Sequence, residues 1–244
     1  MTPSSKNTFE NGFFWNNYKS IESDFLRFLE YAPYYKSNLK MYSPKLTGFL
    51  LQTGGYIDSA FKEMANYFRF KTYKLKKVKK KIVTKRIKKE DTITNVVDAF
   101  CILEILYSLS TNNGGHLIAK LDFGDKELYP FKDFSSSQFI SPTWWSAYNE
   151  VKHEYSLHYR KASLNNVLEA LAGAFLLNVT HYPSIKLLWQ LGYLKTGGKA
   201  GEGFTEMNLE ERFLDLYIQG AVPDLKPLNI GIRVETPLYI YMHE

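Results

Sequence analysis

The stretch of this chain richest in reactive side chains is Trp144-Trp145-Ser146-Ala147-Tyr148-Asn149-Glu150-Val151-Lys152-His153. On a helix, offsets of three and four residues are neighbours, so Trp145, Asn149, Lys152 and His153 fall on one side. Trp144, Tyr148, Val151 and Tyr155 form an adjoining apolar stripe. A helix of this kind buries aromatics while it presents an amide, an ammonium and an imidazole together. That trio can orient a phosphate or pass a proton, and it can equally satisfy a buried polar contact. Metal chemistry is not expected: His153 and His158 lie five residues apart, and the two-histidine pattern of zinc proteases is missing. The glycine-rich stretch from Gly197 to Gly203 lacks the closing Lys-Ser/Thr of a phosphate-binding loop. No dinucleotide fingerprint is present either, so no cofactor is expected.

A second chemical signal is charge. Residues 71–90 hold 11 of the 31 lysines and arginines and a single glutamate, a local +10. Removing them leaves 20 basic against 24 acidic side chains, about −4, although the whole chain is +6. A mildly acidic body thus carries one strongly basic segment. Blocks of like charge repel one another and often act as interaction arms, with polyanions as natural partners. Lys76, Lys77, Lys79, Lys80, Lys81, Lys85 and Arg86, with Arg160 outside the segment, are the candidate nucleic-acid contacts, and a solvated lysine-rich loop is the plainer alternative for the segment.

The elements that must position these groups are mostly helical. Helical spacing runs from Tyr18 to Tyr34, ending at Pro33, and again from Pro44, where Ser43 is a suitable cap, to about Phe68. Gly54-Gly55 inside the second helix marks a bend or a close helix crossing. A third helix is expected from a cap at Asp91 or Thr92 to about Leu109, a fourth from Pro142 through Tyr155, and a fifth from Leu164 to about Asn178, capped by Ser163. Its Ala170, Ala172, Gly173 and Ala174 permit close packing. A shorter helix is expected from Ser184 to Leu194 and another from Glu206 to Gln219. Residues 116–131 read as a β-hairpin around Gly124-Asp125, and Ile230 to Met242 as a strand. The fold class is therefore mainly α, a helical bundle over residues 1–194 with a basic insert at 71–90 and a small β-hairpin at 116–131. Residues 195–244 form a C-terminal extension, separate or part of the same domain. The 16% of aromatic residues serves mainly core and interface area. One cysteine, Cys101 in an apolar run, fits a small buried hydrophobe in a reducing compartment. No leader-like segment and no apolar run long enough for a bilayer are apparent, which points to the cytoplasm.

The motif Trp-Trp-x-Ala-Tyr-Asn-x-Val-Lys-His, with Pro130-Phe131 before it and the helix Ala162-Ser163-Leu164 to Leu177 after it, resembles a set of uncharacterised bacterial proteins. That set is similar in turn to the HEPN superfamily of helical domains, which includes metal-independent ribonucleases of defence and toxin–antitoxin systems. The HEPN signature is Arg, a polar residue, three further residues and His. Aligned on His153, Asn149 takes the polar position and Tyr148 stands where the signature has Arg. Asp58 and Lys62 have the spacing of the acidic residue and lysine that HEPN sites often add on an earlier helix, and they equally have that of an ordinary surface pair. The resemblance implies a HEPN-like bundle, a homodimer, and RNA or another nucleic acid as partner, with an operon-encoded protein partner conceivable. With the signature Arg lost, Lys152 or Arg160 is left to supply a cation and His153 an acid or base. Three readings stand: a nucleic-acid-binding or dimerising module with a degenerate site, an active ribonuclease using His153, and a protein–protein interaction subunit.

Overall fold

A computed structural model of the chain describes residues 12–67, 73–78, 81–86, 93–107, 109–110, 119–121, 126–134, 140–181, 184, 187–188, 190–191, 193–196, 232–235 and 239–243. It is mainly helical. The long helices are α1 (Phe13–Tyr31), α2 (Pro44–Tyr67), α3 (Val96–Tyr107), α4 (Thr143–His153) and α6 (Leu164–Thr180), and a short α5 (Tyr155–His158) continues into a 3₁₀ turn at Tyr159–Lys161. No helix among the described residues is long and apolar enough to cross a membrane.

The helix starts follow local chemistry. Ser43 Oγ accepts the Leu46 N–H at 3.1 Å, and Ser163 Oγ accepts the Asn166 N–H at 3.3 Å, so both serines satisfy a backbone donor that the helix leaves open. The third helix departs from expectation: it begins after Asn95, whose Oδ1 accepts the Val97 N–H at 2.8 Å, rather than at Asp91 or Thr92. The fourth also differs. It ends at His153, because Glu154 leaves helical geometry at φ −138°, ψ 62°, and α5 starts afresh.

Helix α6 is the axis of the core. Every residue from Val167 to Val179 except Glu169 is buried, and α1, α2 and α4 pack around it. A helix apolar on all sides must be enclosed, which accounts for its small residues. Gly173 is one contact point: a Cβ there would meet Phe131 Cζ at 3.2 Å. Rings fill much of the remaining core. Phe100 stacks on Phe134 at 3.8 Å between centroids, and Phe61 meets Phe100, Phe131 and Phe134 edge-on. Among the described residues most aromatic side chains are thereby packing area.

Strands form two sheets. In the basic segment, β1 (Tyr73–Val78) and β2 (Lys81–Arg86) pair antiparallel, so this segment is a two-stranded ribbon and not a featureless loop. The second sheet has the order β4-β3-β7-β6-β5, every neighbour antiparallel, from β3 (Ala119–Leu121), β4 (Glu127–Leu128), β5 (Leu194–Thr196), β6 (Ile232–Glu235) and β7 (Tyr239–His243). The single strand expected over Ile230 to Met242 is two strands paired with each other, Ile232 opposite His243 and Glu235 opposite Ile240. Both β3 and β7 lie next to α6. The end of the Ser184 to Leu194 segment is likewise extended, with Leu194 opening β5. The expected turn at Gly124-Asp125, the helix over Glu206 to Gln219 and the glycine-rich stretch from Gly197 to Gly203 lie outside the described residues, as does the Cys101 side chain.

Candidate functional site

Helix α4 buries Trp144, Tyr148 and Val151 as the sequence suggests, but two residues depart from that reading: Trp145, placed with the polar group, is buried, and Tyr155, placed in the apolar stripe, lies beyond the helix end and is half exposed. Trp144 is buried and donates Nε1–H to the Pro130 carbonyl at 2.7 Å, so the Pro-Phe segment and the double tryptophan are joined by a hydrogen bond. Trp145, Ala147, Tyr148 and Val151 are buried beside it, while Lys152 and His153 are exposed in the last turn. Cationic groups there complement the negative end of the helix dipole, a structural role that asks nothing of a ligand. Asn149 is half-buried, and its amide donates to the Trp145 carbonyl at 3.0 Å within the same helix. The Lys152 ammonium stands 5.4 Å from the centre of the Tyr148 ring.

Tyr148, which the resemblance aligns with the signature Arg, is a core residue. Its ring lies flat against α2: a Cβ on Gly54 would fall 2.2 Å from Tyr148 Cδ2 and 2.4 Å from Cγ. Only glycine permits this approach of helix backbone to ring. The close crossing marked by Gly54-Gly55 therefore receives the one residue at which the chain departs from the signature. One turn farther along α2, Lys62 Nζ contacts Asp58 Oδ2 at 2.6 Å, with both side chains about 30% exposed. Among the described residues no hydrogen bond or ion pair joins Asp58 or Lys62 to Asn149, Lys152 or His153. The structure unites Lys152, Tyr148 and Gly54, and leaves His153 at the surface.

The segment after α4 holds His158 and Arg160, which the sequence pointed to, together with Tyr159 and Lys161, which it did not. Glu150 on α4 accepts an ion pair from Lys161 and faces His158 Nδ1 at 3.3 Å, while His158 Nε2 lies 3.5 Å from Glu154. Arg160 takes no part in this network. Its guanidinium carbon lies 5.6 Å from the Tyr42 ring and 5.7 Å from the Tyr159 ring. The signal that could have pointed here is the density of tyrosine and basic residues from 155 to 161. Among the described residues no group of three or more His, Cys, Asp or Glu side chains is placed to hold a metal.

The ends of the chain on either side of the basic segment are joined by one side chain. Asn66, in the last turn of α2, donates Nδ2–H to the Ile93 carbonyl at 2.9 Å and accepts the Ile93 N–H at 2.8 Å. One side chain thus satisfies both backbone groups of the residue at which the chain returns to the bundle. In the ribbon register Lys74 is opposite Lys85, Lys76 opposite Val83, and Val78 opposite Lys81. These pairs have one parity, so Lys74, Lys76, Lys81 and Lys85 belong to one face of the ribbon, and Lys77 and Arg86 to the other. Lys79 and Lys80 lie outside the described residues.

Burial also perturbs ionisable groups elsewhere, among them His181 and Glu169. Burial lowers the His181 imidazole to a pKa of about 3, which keeps it neutral in the core. Glu169 on α6 is raised to about 7, chiefly by burial; Lys126 opposes the rise and Asp133 adds to it. Comparisons of the chain with protein-family models, with curated proteins and with solved structures found no match.

Proposed function

We propose that this chain is a nucleic-acid-binding protein that grips phosphates with the ribbon of residues 73–86, on a HEPN-like bundle whose ribonuclease site is degenerate. The observation that carries the reading is the antiparallel register of the basic segment. Like charges directly opposite one another destabilise a strand pair, yet here Lys74 faces Lys85. A ribbon that places four lysines on one face has its own repulsion relieved when a polyanion neutralises them. Two further observations favour a degenerate site: Tyr148 fills the Arg position as a buried ring, and the Asn149 amide is engaged within its own helix. The bacterial defence or toxin–antitoxin setting, the homodimer and an operon-encoded partner follow from the HEPN resemblance alone.

The test is binding of a labelled single-stranded RNA at several salt concentrations, with the chain carrying Lys74→Glu, Lys76→Glu, Lys81→Glu and Lys85→Glu as comparison. The wild type is expected to bind with log K falling steeply against log salt, by roughly 0.7 for each phosphate contacted. The quadruple variant is expected to lose most of that slope. Identical binding curves for the two proteins would sink the proposal.

A second reading, an active ribonuclease, is favoured by the exposure of His153 and Lys152 side by side at one helix end. Metal-free incubation with labelled transfer RNA decides it: cleavage by the wild type that His153→Ala abolishes would establish the enzyme.

A further inference from the structure

The surface around α5 gathers aromatic rings that the core does not enclose. Tyr42 is 44% exposed and Tyr155 50%. The Tyr42 and Tyr159 ring centres are 5.5 Å apart and those of Tyr159 and Tyr155 6.2 Å, so the three rings form a row. Arg160 joins it, with its guanidinium near two of the rings and its Nε donating to the Tyr159 hydroxyl at 3.2 Å. Backbone bonds hold the row in place. Tyr42 bridges to Ser163, the Leu164 N–H donates to the Met41 carbonyl at 2.9 Å, and the Asn165 N–H to the Leu39 carbonyl at 3.0 Å. The strand segment with Tyr42 is thereby fastened to the start of α6, directly after the turn that holds Tyr159 and Arg160.

Charge and composition select the occupant. The nearby carboxylates of Glu150 and Glu154 face Lys161 and His158, while Arg160 has no carboxylate partner among the described residues. Lys40 and Lys45, flanking Tyr42, are exposed. The surface is therefore aromatic and cationic. Leu157 is the only large aliphatic side chain exposed within residues 154–163, which is little apolar area for the core of a protein interface. Ring faces beside a guanidinium are what unpaired bases stack upon, and the neighbouring cations suit the phosphates between them.

We propose that Tyr42, Tyr155, Tyr159 and Arg160 form a stacking platform for the unpaired bases of a single-stranded nucleic acid. This rests on the nucleic-acid reading above and assigns it a second contact surface, one that distinguishes single strands from duplexes. The ribbon supplies phosphate attraction to either form, whereas the tyrosine row engages only bases free of a duplex.

The experiment uses the full chain, a labelled 12-nucleotide oligouridine, and the same strand annealed to oligoadenosine. The single strand is expected to bind more tightly than the duplex. Tyr155→Ala and Tyr159→Ala are each expected to weaken single-strand binding by about fivefold or more. Duplex binding and the salt slope should not move, and Tyr155→Phe should bind as the wild type. Tyr155 is half exposed, so its replacement tests the platform without disturbing the core. Wild-type binding that is indifferent to both tyrosines overturns the platform and leaves the ribbon reading intact. No binding of either probe overturns both. Self-association lost in Tyr155→Ala while oligouridine binding is unchanged overturns the platform in favour of a protein interface.

Discussion

Gly54→Ala and Gly48→Ala make the same chemical change on the same helix, and the structure assigns them opposite signs. At Gly48 a Cβ would meet nothing within 4 Å and the position is exposed. The substitution there gains helix propensity and stabilises by about 0.5–1 kcal/mol. At Gly54 the new methyl would lie 2.2, 2.4 and 2.6 Å from three atoms of the Tyr148 ring. A flexible side-chain end could yield, but this ring is packed between α2 and Trp145, whose centroid is 5.1 Å away. Accommodating the methyl requires the ring or the helix to move, an overpacking cost of about 1–3 kcal/mol or more. The propensity gain offsets under about 1 kcal/mol of it. Both alanines gain the same propensity, so the two variants should differ by the overpacking cost, about 1–3 kcal/mol, with Gly54→Ala a net loss of up to about 2 kcal/mol. Urea unfolding followed by circular dichroism measures this as opposite shifts of the midpoint at an unchanged slope. A Tyr148→Ala background sharpens the test: with the ring gone, Gly54→Ala should become neutral or stabilising, which gives a coupling of about 2 kcal/mol in the double-mutant cycle. If both alanines shift the midpoint the same way, or if the coupling is nil, the ring does not rest on Gly54 and the account of the signature position fails with it.

Tyr148→Arg, which restores the HEPN signature letter for letter, is expected to cost about 3 kcal/mol or more, because it places a guanidinium at a position 4% exposed against a helix backbone. Urea unfolding checks it, and a variant as stable as wild type that also cleaves RNA would contradict the core role of Tyr148. Glu169 gives a pH prediction. Its folded pKa of about 7 lies above the ordinary carboxylate value of 4.5, chiefly through burial, so the folded state binds more protons than the unfolded one between those two values. Stability from this group is fully present below about pH 4.5 and declines as pH rises through about 7. Glu169→Gln should flatten that decline and be more stable than wild type by about 1–2 kcal/mol at pH 8, a figure reduced for the group's partial exposure. Equal pH dependence of the two melting curves would show that Glu169 is not the group responsible.

The features that could be read from the residues are those set by neighbours in the chain. Ser43 and Ser163 cap helices because a hydroxyl meets an amide three residues on, and such a pattern is visible in any sequence. The α4 stripe was visible for the same reason, as was the special role of Gly54-Gly55. What covered those glycines was not, since Tyr148 lies 94 positions away and nothing local couples the two. The Asn66 clasp on Ile93, 27 residues along, is hidden for the same cause. The cap at Asn95 was passed over because Asp91 and Thr92 offer equally good oxygens earlier; the helix starts where the chain leaves the clasp, which is a tertiary decision. In the basic segment the sign of the charge masked the strand pattern. Its β-branched and aromatic residues, Tyr73, Val78, Ile82, Val83 and Thr84, suit a ribbon, but eleven cations in twenty residues suggest self-repulsion. Even so the two strands pair, with Lys74 opposite Lys85 in the register. The Tyr159–Arg160 surface adds rings at the protein's exterior that the core has no place for. On the proposed reading, a single-stranded polyanion meets both the ribbon, where Lys74 is paired with Lys85, and the exposed rings beside Arg160.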